Sequence, residues 1–571
     1  MKLTALLLFL YFSCGEAKQF APDNNNPLRI QLYSQEKTNL LATTTPHRRD
    51  MAAKGAAVKK LDTALRGGSA TTAFRDSIFP IYGNNEVRKF ILLSLTKFFI
   101  VFVLTLTRDS KDTLIVTSCG AEAIAFLKVY GVIPCAAGFI GLYGKMSKMM
   151  SKSALYYSTV APFFLFFIAY DVLLLPNKNL LAPSASFVSS IFGESPVGAR
   201  LILSKLLLDW TSALYYVMAE LYSSVSIGIL FWQRANDVVP IDEAKRFYPL
   251  FGQISSIAPI MAGLYVIRFA SKAPDFSSSM HRLTAAITLS GVMICLLYAV
   301  TSIQVQGELM EKGKNSAKAA KATEAEEKKK KKEKMSTMES VRFLLGSEYL
   351  KLIATMVIGY GLSINFTEIM WKSLVKARYP SKLDYQRFMG NFSTIVGATT
   401  FLVIFVGSNV IKRLGYRIGV LATPVMMLFA TAPFFAATIF SGESIVSDGK
   451  LLTFAVILGT IQSLLSKATK YALFDPTTQM AYIPLTETER VQGKAAIDVL
   501  GSRVGKSGGS LIQQVLVLIF GSILSAAPAV AVIFYTVIFL WIRSASRLSK
   551  LFLEKTEGDG GKSDRNNKKS D

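Results

Sequence analysis

The chain has 571 residues, 51% of them apolar and 11% aromatic, and 64 basic side chains outweigh 39 acidic ones for a formal charge of +25. Apolar runs long enough to cross the roughly 30 Å hydrocarbon core of a bilayer recur throughout, which excludes a soluble enzyme and defines a polytopic membrane protein. Two histidines and four cysteines without ligand spacing exclude a zinc site or a disulfide framework, so no metal and no cofactor is expected.

Met1-Lys2, the short apolar run LTALLLFLYFSC and Gly15-Glu16-Ala17 read as a signal peptide over residues 1–17. Residues 18–80 are rich in Ser, Thr, Ala, Lys and Arg and poor in acids, as transit peptides are. Signal plus transit-like stretch resembles the bipartite presequence of algae with complex plastids, although Phe20 lies beyond the cleavage point rather than at it. The alternative is an ordinary secretory signal followed by a disordered arm. Twelve spans are expected, near 90–107, 122–143, 154–175, 204–232, 246–269, 283–304, 349–373, 389–410, 417–440, 451–474, 495–523 and 525–547. They are unbroken apolar runs rather than ten-residue alternations, so they predict self-satisfied helices and not barrel strands.

A connection at 305–345 carries Lys328 to Lys332 and divides the chain into a six-helix half at 88–304 and another at 346–548, before a charged disordered tail at 549–571. An even count of spans puts both termini and this loop on one, positive side. The lysine run lacks the interleaved aromatics that stack bases, so no nucleic-acid partner is expected; the run is a solvated linker beside anionic headgroups. No extended helix-pairing motif stands out, which leaves a monomer in the bilayer as the expectation.

Charged residues within or beside the spans are the informative ones, because each Arg, Lys or Asp near a helix centre costs about 2.5–3.5 kcal/mol and is kept where it faces a polar path. In the first half these are Arg108, Asp109, Lys111 and Asp112 at the end of span one, Glu220 inside span four, and Asn236 and Asp237 after it. In the second half Glu368 and Lys372 close span seven, Lys467, Lys470 and Asp475 close span ten, and Lys494 and Lys506 enter or line span eleven. A short echo, Arg246-Phe247 with Phe251 and Arg387-Phe388 with Phe392, opens spans five and eight, as an internal transporter repeat would. Two enzyme-like or carrier-like motifs fail on context. Gly501 to Ser507 has three residues between its glycines where a phosphate-binding loop needs four, and it lies in a helical run. Pro240 to Lys245 matches the mitochondrial-carrier element once, where those proteins repeat it three times. Lysines and arginines lining a cavity suit an anion; Glu220 and Glu368 either neutralise those cations in the empty site or contact substrate or a proton.

The strings TLTRDSKDTLIV, YVMAELYSSVSIGILFWQRAND, INFTEIMWKSLVKARYP, KYALFDPTTQMAYIPL and GKAAID with GKSGGSLIQQ together resemble the ATP/ADP translocases of plastids and obligate intracellular bacteria, over about residues 80 to 550. The resemblance implies a twelve-helix antiporter of major-facilitator type, not an enzyme, that exchanges ATP for ADP by alternating access across a plastid envelope. It names Lys111, Glu220 and Glu368 as transport residues, with Lys506 as the fourth and Lys494 as its runner-up. Thr477-Thr478-Gln479 stand where land-plant members carry charges, so a broader nucleoside or deoxynucleoside triphosphate transporter, proton-coupled, is the alternative, with other nucleotides and phosphate as further substrates. The mechanism expected on that basis has phosphates engaging Lys111, Arg108 and a second-half lysine. Tyr215, Tyr216, Phe231, Trp232 and Tyr482 are candidate base-stacking surfaces whose ordinary role is packing.

Overall fold

Backbone groups inside lipid must satisfy one another, and the described chain does so with helices alone. The computed structural model describes residues 84–315, 346–442, 444–486 and 502–567, with isolated positions at 81, 342, 344, 489, 493, 494 and 497. The expected signal peptide, the transit-like stretch to residue 80 and the run Lys328 to Lys332 lie outside the described residues.

We number the long helices α1 (Asn84–Ser118), α2 (Ala123–Met149), α3 (Lys152–Leu174), α4 (Trp210–Val238), α5 (Ile241–Arg268), α6 (Phe276–Asn315), α7 (Glu348–Arg378), α8 (Lys382–Ser441), α9 (Gly449–Met480), α10 (Ser502–Phe520) and α11 (Ala527–Asn567). Among the described residues, ten helices are long and apolar enough to cross a membrane. The expected eighth and ninth spans fall on the two limbs of α8, which breaks at Gly415 with φ 82° and ψ 170°, a conformation open to a residue without Cβ. The expected eleventh falls on α10, whose apolar part, Ser507–Phe520, is shorter than the others. No proline follows Pro528, and α11 keeps its helical backbone through Asn567, past the expected boundary at 548.

Two expectations about the first half change. The charges from Arg108 to Asp112 are not at a span's edge: α1 runs straight through them to Ser118. The helix tolerates them because each charge finds an opposite one, Arg108 with Asp109, Lys111 with Asp112 and Glu220, and Asp112 also with Lys372. The fourth span begins at Trp210 rather than 204, because Ala199–Leu208 is a separate helix and Asp209 turns the chain. Lys178 fixes that turn, 2.9 Å from the Asp209 carboxylate.

The apolar interior forms two clusters. One gathers Phe90, Tyr215, Phe231, Phe247 and Met280 from the first half of the sequence, the other Met356, Trp371, Phe434, Phe474 and Trp541 from the second, joined by residues such as Ile124 and Tyr216. The Arg-Phe echo belongs to this packing. Phe247 and Phe251 close on Phe90 of α1 at 5.2 and 5.4 Å, and Phe392 closes on Trp371 of α7 at 4.7 Å. Helices α5 and α8 meet almost backbone to backbone, since a Cβ on Gly263 would collide with the Gly390 carbonyl and one on Gly397 would lie 2.9 Å from the Ile260 nitrogen. Outward-facing Leu289, Phe429, Val532 and Phe539 are all at least 66% exposed, the surface that lipid covers in a membrane protein.

Candidate functional site

Five ionised side chains from three helices form a chain of alternating charge. Lys111 of α1 lies 2.8 Å from Glu220 of α4 and 3.0 Å from its neighbour Asp112. Asp112 presents its second oxygen to Lys372 of α7 at 2.8 Å, and Lys372 reaches Glu368 one turn away at 3.2 Å. From end to end the order is Glu220, Lys111, Asp112, Lys372, Glu368. The middle three are sealed, with side-chain exposures of 5, 2 and 6%, whereas the end carboxylates keep 25 and 27%. Burial without partners costs far more than burial as a hydrogen-bonded chain, and breaking such a pair by removing one member costs about 3–5 kcal/mol. The Tyr216 ring closes the remaining side of Lys111, 4.1 Å from the ammonium.

Other charges stand around this chain. Arg108, 37% exposed, pairs with Asp109 at 3.3 Å and donates to Ser393 of α8 at 3.0 Å, while the Ser393 hydroxyl donates to Asp109 at 2.7 Å. Lys467 of α9 lies over the Phe392 ring at 4.7 Å. Lys128 of α2 donates to the side-chain oxygen of Asn365 at 3.4 Å, and Asn365 donates in turn to Ser510 of α10 at 3.0 Å. Wide π-helical turns accompany these positions: Leu127–Val132 holds Lys128, Ser226–Gln233 follows Glu220, and Lys470–Phe474 follows Lys467. Such turns recur where a helix serves function.

The sequence-derived candidates divide on inspection. Arg108, Lys111, Glu220, Glu368, Lys372 and Lys467 come together. Lys470 and Asp475 bind each other at 2.8 Å and make no ion pair with the chain. Asn236 and Asp237 do not join it: both are exposed at the end of α4, Asn236 accepting from Tyr248 and Asp237 pairing with Lys152, itself 80% exposed. Closeness in sequence to Glu220 suggests them, but about four turns of helix lead away from the site. Lys494 is half-buried at an isolated described position, and Lys506 lies on α10 with its side chain outside the described residues. Thr477 and Thr478 are buried, Thr477 donating to its own helix at Leu473. Tyr215, Tyr216, Phe231 and Tyr482 are fully or nearly fully buried as packing.

Three participants go beyond the candidate binding residues. Asp112 links the two lysines, Lys128 adds a cation and Asn365 holds it. Lys128 carries a legible signal, one lysine in the apolar run AFLKVYGV.

The arrangement is thus two lysines from separate spans tied by three carboxylates inside a membrane domain. The family model described as TLC ATP/ADP transporter matches residues 66–552. The chain belongs to that family. An "ADP,ATP carrier protein 1" of Chlamydia pneumoniae is 41% identical over 504 residues, covering 84% of this chain and 94% of the relative. "ADP,ATP carrier protein 2, chloroplastic" of Arabidopsis thaliana is 38% identical, covering 96% of this chain and 87% of its own. Among solved structures, a bacterial homologue of the iron transporter ferroportin aligns at 13% identity with a TM-score of 0.49, covering 82% of this chain and 98% of that one, a likeness too loose to bear on the fold. As a member of a transporter family, the chain is a carrier and not an enzyme.

Proposed function

We propose that this TLC-family protein exchanges ATP for ADP across a plastid envelope membrane, through alternating access of two six-helix halves with twelve spans arranged as in major-facilitator carriers. The two limbs of α8 and helix α10 support the count, adding the eighth and eleventh spans to those that are long and apolar in their own right. The paired clusters of buried apolar residues, one drawn mainly from before and one mainly from after the central connection, support the division into halves. The chloroplastic relatives, together with the transit-like leader, support the plastid.

One observation carries the exchange reading: Lys372 of one half lies 2.8 Å from Asp112 of the other. This pair ties α1 to α7, so the halves part only when the charge balance around it changes. An anion that satisfies the cations lets the halves reorient loaded, and its departure returns the chain to its self-paired state, which makes passage a trade of one nucleotide for another. The carboxylates hold the site electrically quiet between substrates, the first of the two roles open to Glu220 and Glu368.

Purified protein in liposomes is expected to take up labelled ATP rapidly with ADP inside and at less than about a tenth of that rate without it. Equal uptake into empty vesicles, steeply dependent on pH, would instead indicate a proton-coupled importer. The uncharged Thr477-Thr478-Gln479 patch favours testing GTP, CTP and deoxynucleotides in the same vesicles.

A further inference from the structure

Resting on the exchange reading, the geometry points to Lys128 and Lys467, rather than Lys111, as the cations that receive the nucleotide's terminal phosphates, with Asn365 positioning Lys128. Lys111 is occupied on three sides, by Asp112, Glu220 and the Tyr216 ring, and only 5% of its side chain is exposed. Lys372 is likewise held between Asp112 and Glu368 at 6%. A phosphate approaching either would have to displace carboxylates while being repelled by them.

Lys128 and Lys467 are different. Among the described residues neither has a carboxylate within ion-pairing distance; one donates to a neutral amide oxygen at 3.4 Å and the other lies over a ring at 4.7 Å. Both are only partly buried, and both lie near enough to Glu368 for the charges to act on one another. An ammonium kept inside a membrane domain without a fixed counter-ion suits a mobile one. The charge balance agrees. Three carboxylates exceed two ammoniums within the five-residue chain, and Lys128 with Lys467 turns that deficit into an excess of one positive charge, with Arg108 and Asp109 cancelling. The site therefore favours an anion next to these two residues. They come from α2 and α9, so one polyphosphate bridging them touches elements from before and after the central connection.

Asn365 is fixed for its part. Its amide donates to Ser510, its main-chain carbonyl accepts from Gln513 at 3.1 Å, and Gly509 leaves the room that a Cβ would fill, 2.8 Å from the Asn365 amide nitrogen. Gln513 is 1% exposed, and its side-chain oxygen has no hydrogen-bond partner among the described residues. The α10 face thus sets the direction in which Lys128 points.

Two readouts test this on the full-length protein. In detergent, inorganic tripolyphosphate is expected to raise the melting temperature of the wild type and of Lys111→Gln, and to raise that of Lys128→Gln or Lys467→Gln much less. In ADP-loaded liposomes, KM for ATP is expected to rise at least tenfold in Lys128→Gln and Lys467→Gln with a smaller change in maximal rate, and Lys128→Arg is expected to recover most of it. Asn365→Ala should raise KM in the same direction by less. Tripolyphosphate shifts of wild-type size in both Lys128→Gln and Lys467→Gln overturn the assignment, as does an unaltered KM in the two. Because the two lysines read one receptor from separate helices, misfolding of either variant leaves the other decisive. A wild type that answers tripolyphosphate but performs no exchange sinks the exchange reading and spares the receptor.

Discussion

Asp112 is the residue on which the charge chain turns, because among the described residues it alone pairs with both Lys111 and Lys372. Asp112→Asn removes a negative charge between two sealed ammoniums and is expected to cost about 3–5 kcal/mol, seen as a lower unfolding midpoint in detergent. Lys111→Ala and Glu368→Gln break the same chain at other links. Each is expected to reduce ATP/ADP exchange to roughly a tenth or less, measured in ADP-loaded liposomes; exchange at wild-type rate in both would remove the chain from the transport cycle. The cost of charge in lipid makes Lys111, Glu220 and Glu368 conspicuous in the sequence. What sequence cannot supply is the pairing. Asp112 reads as one of several charges in RDSKD, and its partner Lys372 lies 260 positions away. Asn236 and Asp237 look equally eligible until the helix carries them to the surface.

At the scale of elements, hydropathy locates the spans because every one of them must be apolar over the thickness of a bilayer. It misjudges ends wherever polar side chains are paired rather than absent, as in α1, which continues through Arg108 to Asp112. The contact of α5 with α8 depends on bare backbone at Gly263 and Gly390. Gly263→Leu is expected to separate the two helices and lower both melting temperature and exchange, whereas Gly252→Ala, on the same helix with open space around its Cβ direction, serves as the tolerant control. Helix α6 begins at a cap, Asp275 accepting from the Ser278 amide at 2.7 Å. That backbone hydrogen bond holds the exposed Asp275 carboxyl below its ordinary value. A depressed carboxyl contributes stability above its unfolded pKa and loses it as pH falls through the folded one, so its contribution should vanish in acid below that ordinary range. Asp275→Ala is expected to lower the melting temperature at neutral pH and to make no difference in strong acid.

For the whole molecule, exchanging ATP for ADP moves about one additional negative charge, worth about 2.3 kcal/mol per 100 mV. Inside-positive potentials imposed on liposomes are expected to speed ATP entry; indifference to voltage would mean that phosphate or a proton travels as well. Ser279 of α6 and Gln386 of α8 touch at 2.7 Å between the two sets of helices. Cysteines at those two positions, with Cys135 replaced by serine, are expected to stop exchange when oxidised and to release it on reduction. Full activity of the cross-linked protein would contradict movement between the halves.

The wide turn at Leu127–Val132 gives α2 a double allegiance. A regular spiral that places Lys128 toward polar neighbours would carry the same stripe onward along its length, and an inserted residue breaks that continuity by rotating the later positions through roughly 100°. Beyond it Leu142 is 56% exposed, facing outward. A single rod thereby turns a cation inward at one level and an apolar side chain outward at another, with no loop to divide it.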